Sequence, residues 1–334
     1  MIRALAAGAA ILGAALCHGA ARDQIIIVGS STVYPFSGMV AEHFARSGPF
    51  PVPLVRSTST ADGFRQLCAG NGLDTPDISS ASRRITAAER AICAANGVRR
   101  IAEVRIGYDS LILASHATAS SFDVTLQQLW RASAKVVPVN DVFVPNPYRN
   151  WRDIAPNLPD RPIHLFGPGP GHGTRDAFVE LVMEPSCAAA APDMRLRVEE
   201  REALCGAVRD DGLWEDVKDL ELILGKLARN PQAVGVLTYS YLEQFGNRIR
   251  AAPIEGIIPS RTSIASGSYP ISRPLFIYVK EGHLGTTTGL ADYAAEFVSF
   301  CAAGTNGYLS SEGLVPMPMP ELLSQRAAVA RLQR

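Results

Sequence analysis

Residues 24–37, QIIIVGSSTVYPFS, pass from a β-branched apolar run through one glycine and three hydroxyl residues into a proline-led helical pattern. Gln24 to Val28 reads as a buried strand, and Gly29-Ser30-Ser31-Thr32 as a tight loop. Pro35 suits a first helical turn, and Phe36, Met39, Val40 and Phe44 recur at helical spacing. The order then repeats. Val52 to Val55 predicts a strand, Ser57 to Asp62 a hydroxyl-rich turn, Gly63 to Ala69 a short helix and Asp77 to Ala81 a third strand. Strands alternating with helices define an α/β class with a mostly parallel, doubly wound sheet.

Further along, Thr86 to Ala95 reads as a helix closed by Asn96-Gly97, and Val104 to Leu113 as a long extended segment. A stretch rich in Pro, Asn and Trp, Val137 to Pro162, is a plausible change of domain. Ile163 to Phe166 then leads through Gly167-Pro168-Gly169-Pro170-Gly171-His172-Gly173-Thr174 into a helix from Arg175 to Met183, so strand, loop and helix recur in order. A helix from Leu220 to Ala228, strands at Ala233 to Leu237 and Leu275 to Val279, and helices near Leu290 to Phe300 and Glu321 to Leu332 complete the reading. No solenoid-length repeat is present.

The chain has 334 residues, with Lys plus Arg and Asp plus Glu both totalling 32. Without an overall field, neither nucleic acid nor an anionic membrane is an expected partner, and any anion site must be local. Residues 1–21 combine Arg3, an apolar run from Ala4 to Leu16 and small residues ending at Ala20 and Ala21. This pattern predicts an exported chain with a signal peptide cleaved near Ala21 and no stable membrane insertion afterwards. Leu16 before Cys17 disfavours a lipid anchor. In an oxidising compartment the close pairs Cys68 with Cys93 and Cys187 with Cys205 are disulfide candidates, with buried free thiols as the alternative; Cys301 is left over. No Cys/His spacing suggests a metal, and no cofactor is implied.

Three hydroxyl-rich loops each open a helix, around Ser31 and Thr32, Ser59 and Thr60, and Gly173 and Thr174. Helix starts carry unpaired N–H donors and the positive dipole end, which suit a tetrahedral oxyanion; singly, each loop could equally be an ordinary cap. Arg175 could pair with the ligand, and Arg83 could touch it or orient Asp62. Asp62 itself would repel an anion unless that anion carries a proton to donate, as phosphate does near neutral pH and sulfate does not. There is no G-x-S-x-G elbow and no H-E-x-x-H, which argues against a phosphatase-type hydrolase.

The runs IIIVGSSTVYPFSGMVAEHF, RSTSTADGFRQLCAG, PDISSASRRITAAE, FVPNPYRNWRDIAPNLPDRPIHLFGP, HGTRDAFVELVMEP, NPQAVGVLTYSYL and GSYPISRPLFIYVK resemble the phosphate-binding subunit of bacterial ABC-type phosphate importers. The resemblance covers nearly the whole mature chain. It implies a type II periplasmic binding protein, with two α/β lobes joined by two crossings near Arg105 to Ser110 and near Tyr269 to Pro274. Lobe 1 would comprise residues 22–107 and 270–334, and lobe 2 residues 108–269. The ligand loops would fall on Ser31 and Thr32; on Ser59, Thr60 and Asp62; on Ser82 and Arg83; and on Gly173, Thr174 and Arg175. His172 departs from the pattern, where relatives usually carry serine, and is itself a candidate contact. Trp214 to Leu220 departs as well. The resemblance further implies a periplasmic monomer that takes inorganic phosphate into its cleft and delivers it to permease subunits. A binding protein for another oxyanion, or a phosphate sensor or surface protein without a transport role, are the alternatives.

Overall fold

The computed structural model describes residues 22–139, 142–192 and 197–333. The signal peptide read at 1–21, with Cys17, lies outside the described residues. The first third of the chain forms β1 (Ile26–Ser30), α1 (Tyr34–Ser47), β2 (Leu54–Thr58), α2 (Thr60–Leu67), β3 (Ile78–Ala81), α3 (Ala87–Ala95) and β4 (Ile101–His116). There follow α4 (Leu126–Ser133), β5 (Val136–Val139), β6 (Val142–Pro145), α5 (Trp151–Ile154), β7 (Leu165–Pro168) and α6 (Gly173–Phe178). A π-helical turn, Val179–Met183, joins α6 to α7 (Glu184–Ala190), and α8 (Val198–Cys205), β8 (Trp214–Val217), α9 (Leu220–Arg229), β9 (Val234–Thr238), α10 (Tyr239–Phe245) and β10 (Ile249–Ala251) come next. Last are α11 (Arg261–Ala265), β11 (Ser272–Lys280), α12 (Leu290–Phe297), α13 (Phe300–Ala303), α14 (Tyr308–Ser311) and α15 (Met319–Val329).

Nine of the strands form one curled mixed sheet in the order β2-β1-β3-β11-β4-β9-β7-β8, with β10 also paired to β4, and β5 and β6 pair separately. Its two ends are parallel, as the alternation of strands and helices predicts: β1 pairs β2 and β3, and β7 pairs β8 and β9. Its middle is antiparallel. β11 runs against both β3 and β4, and β4 against β9. The mostly parallel lobes expected from the sequence are therefore present, and they meet in an antiparallel centre, where the chain passes between two halves instead of returning over a helix. β4 is the longest strand because it serves both halves: Ile101 to Ser110 pair with β11, and Leu111 to Ala114 pair with β9.

One large apolar core lies beneath this sheet, and a smaller one built on Phe64, Leu67, Ile85, Phe276 and Tyr278 sits under α2 and α3. Cys68 and Cys93 are joined within the smaller core, and Cys187 and Cys205 tie α7 to α8, as their spacing suggests. Cys301 is a free, exposed thiol. The region read as a change of domain contains the β5–β6 hairpin, and β8 forms where no strand was expected, in the departing run at Trp214. No helix among the described residues is long and apolar enough to cross a membrane.

Candidate functional site

The first loop leaves its hydroxyls uncommitted to capping. Helix α1 has Val33 at its N-cap with no side-chain cap, and the turn is closed by Val33 N donating to Ser30 O at 3.1 Å. Ser31 Oγ instead donates to Asp176 Oδ2 at 2.8 Å, and Thr32 Oγ1 accepts from Arg273 Nη2 at 2.8 Å. Both contacts reach far along the chain, to α6 and to β11. The second loop divides its roles: Ser59 caps α2 by accepting from Asp62 N at 3.0 Å, while buried Thr60 meets the Ser82 hydroxyl at 3.1 Å and accepts from Ser82 N at 3.2 Å.

The third loop is capped by its histidine. His172 Nδ1 accepts from Thr174 N at 3.1 Å, which places the ring proton of the neutral form on Nε2. Burial pushes the imidazole below its ordinary value of 6.5, against the upward pull of Asp176 and Asp219. At neutral pH His172 is thus an uncharged cap with one N–H left to donate. Thr174 is buried, and a side chain on Gly173 would lie 3.5 Å from the Ser31 carbonyl oxygen, so the first and third loops face each other closely.

A cavity of about 400 Å³ is lined by Ser31, Thr32, His172, Gly173 and Thr174, together with Asp109, Thr238 and Tyr241. An adjoining one of about 860 Å³ is lined by Ser59, Thr60, Ser82 and Arg83, together with Glu180 and Arg273. The structure thus brings the first loop to the third, and the second to the turn after β3. Asp62 and Arg175 line neither cavity. The Asp62 carboxylate accepts from Arg65 Nη2 at 2.8 Å, one helical turn away, with both side chains exposed. Arg175 donates to Pro168 O at 3.0 Å and Asp216 Oδ1 at 3.1 Å, and stacks on Trp214. Arg83 lines its cavity but is held by both oxygens of Glu89, at 2.9 and 2.7 Å, instead of orienting Asp62.

Sequence reasoning missed Asp109, Asp176, Glu180 and Arg273. For Arg273 a signal existed: it interrupts the otherwise apolar run PISRPLFIYV, and a charged residue inside a buried strand requires partners.

A two-halved α/β molecule with a polar cleft between its strand ends has the build of a substrate-binding protein. The chain belongs to the PBP superfamily: the model of the PBP superfamily domain matches residues 17–303. It is 27% identical over 318 residues to Protein SphX of a Synechocystis species, covering 92% of this chain and 83% of the relative. It is 24% identical to the phosphate-binding protein PstS of Staphylococcus saprophyticus, covering 90% and 82%. Among solved structures, a possible phosphate binding protein from Planctomyces limnophilus superposes with a TM-score of 0.73 at 24% identity, covering 94% of this chain and all of the other.

Proposed function

We propose that this chain binds inorganic phosphate between two lobes and delivers it, from the periplasm and as a monomer, to the permease of an ABC-type importer. The observation that carries this reading is the approach of Ser31 and Thr32 to Gly173 and Thr174 across one cleft: neutral polar groups from distant segments converge where a small oxyanion would lose its water, with Ser31 exchanging Asp176 for the ligand. The family and the relatives named for phosphate binding support it.

In this reading lobe 1 is 22–107 with 270–334, lobe 2 is 108–269, and the two join through β4 and the start of β11. Phosphate is held by Ser31, Thr32, Ser59, Thr60, Ser82, Arg83, His172, Gly173 and Thr174 as the lobes close. Asp62 and Arg175 join that set only if they exchange Arg65 and Asp216 for the ligand. The protein is a carrier and not a hydrolase. Titration calorimetry of the mature protein with phosphate, repeated in excess sulfate, tests the reading; tight phosphate binding that resists sulfate is expected. Turnover of a phosphomonoester, abolished by altering Ser31 or His172, would overturn it.

A further inference from the structure

Arg273 carries a guanidinium whose side chain is only 6% exposed, and it meets groups from three separate elements. Nη2 donates to Thr32 Oγ1 at 2.8 Å, Nε donates to Asp109 Oδ2 at 3.4 Å, and Nη1 pairs with Glu180. One positive charge therefore faces two carboxylates. They are unequal partners: the Asp109 side chain is 10% exposed and that of Glu180 is 50% exposed. Losing Asp109 would leave a buried charge short of its fixed partner, whereas Glu180 can turn into water from the π-helical turn that carries it.

The other arginines read as ligand contacts are occupied. Arg83 is gripped by both oxygens of Glu89, and Arg175 is held by Asp216 over Trp214. Arg273 alone of the three combines near-complete burial, a bond to the Thr32 hydroxyl and an acid that is free to leave. Because Thr32 Oγ1 accepts from Arg273, its own O–H remains available to donate.

We infer that Arg273 carries the charge of the bound anion, and that Glu180 holds the anion's place on Arg273 until phosphate displaces it. The inference rests on the phosphate reading and adds a ligand residue and an internal competitor to it. Phosphate brings more acceptor oxygens than a carboxylate and can bridge Arg273 to the hydroxyls of both cavities, which Glu180 cannot do. The exchange keeps the charge in balance, since one anion leaves the guanidinium as another arrives.

The test is calorimetry with inorganic phosphate on the full mature protein, in wild type, Glu180→Gln and Arg273→Gln, with thermal melts to establish that each variant is folded. Glu180→Gln removes the competitor's charge and is expected to tighten phosphate binding about 3–10-fold, and Arg273→Gln to weaken it about 100-fold. Weaker or unchanged binding in Glu180→Gln overturns the displacement, and this holds even if the arginine variant fails to fold. Unchanged affinity in a folded Arg273→Gln overturns the charge assignment while the phosphate reading stands. Absence of phosphate binding in the wild type sinks both together.

Discussion

At Gly29 the backbone φ is +127°, and a Cβ would stand 2.1 Å from the Ser80 carbonyl oxygen. The glycine lets β1 and β3 close up just before the first hydroxyl-rich loop, and Gly63 of α2 packs onto the same spot, where a Cβ would lie 2.7 Å from Gly29 Cα. Gly29→Ala combines strain with overpacking and should cost about 3 kcal/mol or more, read as a lower urea midpoint. His172 gives a pH-dependent prediction. Its folded pKa lies below 6.5, so the unfolded chain takes up the proton first. Its contribution is intact above that value and declines as pH falls through it toward the folded pKa. Melts from pH 7 to pH 5 should show a shallower loss in His172→Ser than in wild type; equal slopes would exclude this assignment. Residue identity made the hydroxyls of the cleft legible, but not which side chains reach them. Asp62 has Arg65 three positions on in the same helix, a partner visible in the spacing, and the short i,i+3 contact forms where a cleft contact was read.

Elements were legible where a period was strong and less so where tertiary pairing decides. The strand-loop-helix units at β1–α1 and β7–α6 stand close to their expected places, with starts shifted by a residue or two, although the helix expected to run to Met183 leaves the α form after Phe178 for the π-helical turn. β8, with exposed Glu215 and Asp216 between buried Trp214 and Val217, exists because it adds an edge to β7, and four residues carry too little pattern to announce that. The start of β1 is pinned in another way. Fully buried Asp77 accepts from Ile26 N at 2.7 Å, pairs with His283 at 2.7 Å and with Arg22, and accepts from Thr287 Oγ1 at 2.9 Å. Burial pushes its carboxyl up, but these hydrogen bonds and the Arg22 charge outweigh it and leave the group below 3.8. Its support is therefore present above the ordinary carboxylate range and disappears as pH falls through the lowered value. Asp77→Ala takes the buried carboxylate from Arg22 and His283, leaving them only backbone carbonyl partners, and should cost about 3–5 kcal/mol in denaturant unfolding at pH 7.

For the whole molecule, the alternation of strands and helices revealed the class and the family resemblance put the crossings on what are β4 and β11, while their antiparallel pairing was hidden, since the two strands lie far apart in sequence and nothing local marks their register. If the two lobes close on phosphate about these strands, small-angle scattering should record a smaller radius of gyration on adding saturating phosphate. At about 100 times the dissociation constant the ligand should add about 2.7 kcal/mol of stability, seen as a rise of about 5 °C in the melting temperature. A chain that neither contracts nor melts higher would refute closure on this ligand. The same strand pair also governs how the molecule can assemble itself. Asp109 and Arg273 touch across a separation of 164 residues, and β11 stands between β3 and β4. The first three strands, although made early and paired with one another, have β3 exposed as an edge until the last quarter of the chain supplies β11. Formation of the β4–β11 pair must then meet the entropy of closing that long loop, which a previously folded intervening segment would shorten. The segment between the strands is expected to become protected from hydrogen exchange first, with β1, β2 and β3 gaining protection only together with β11.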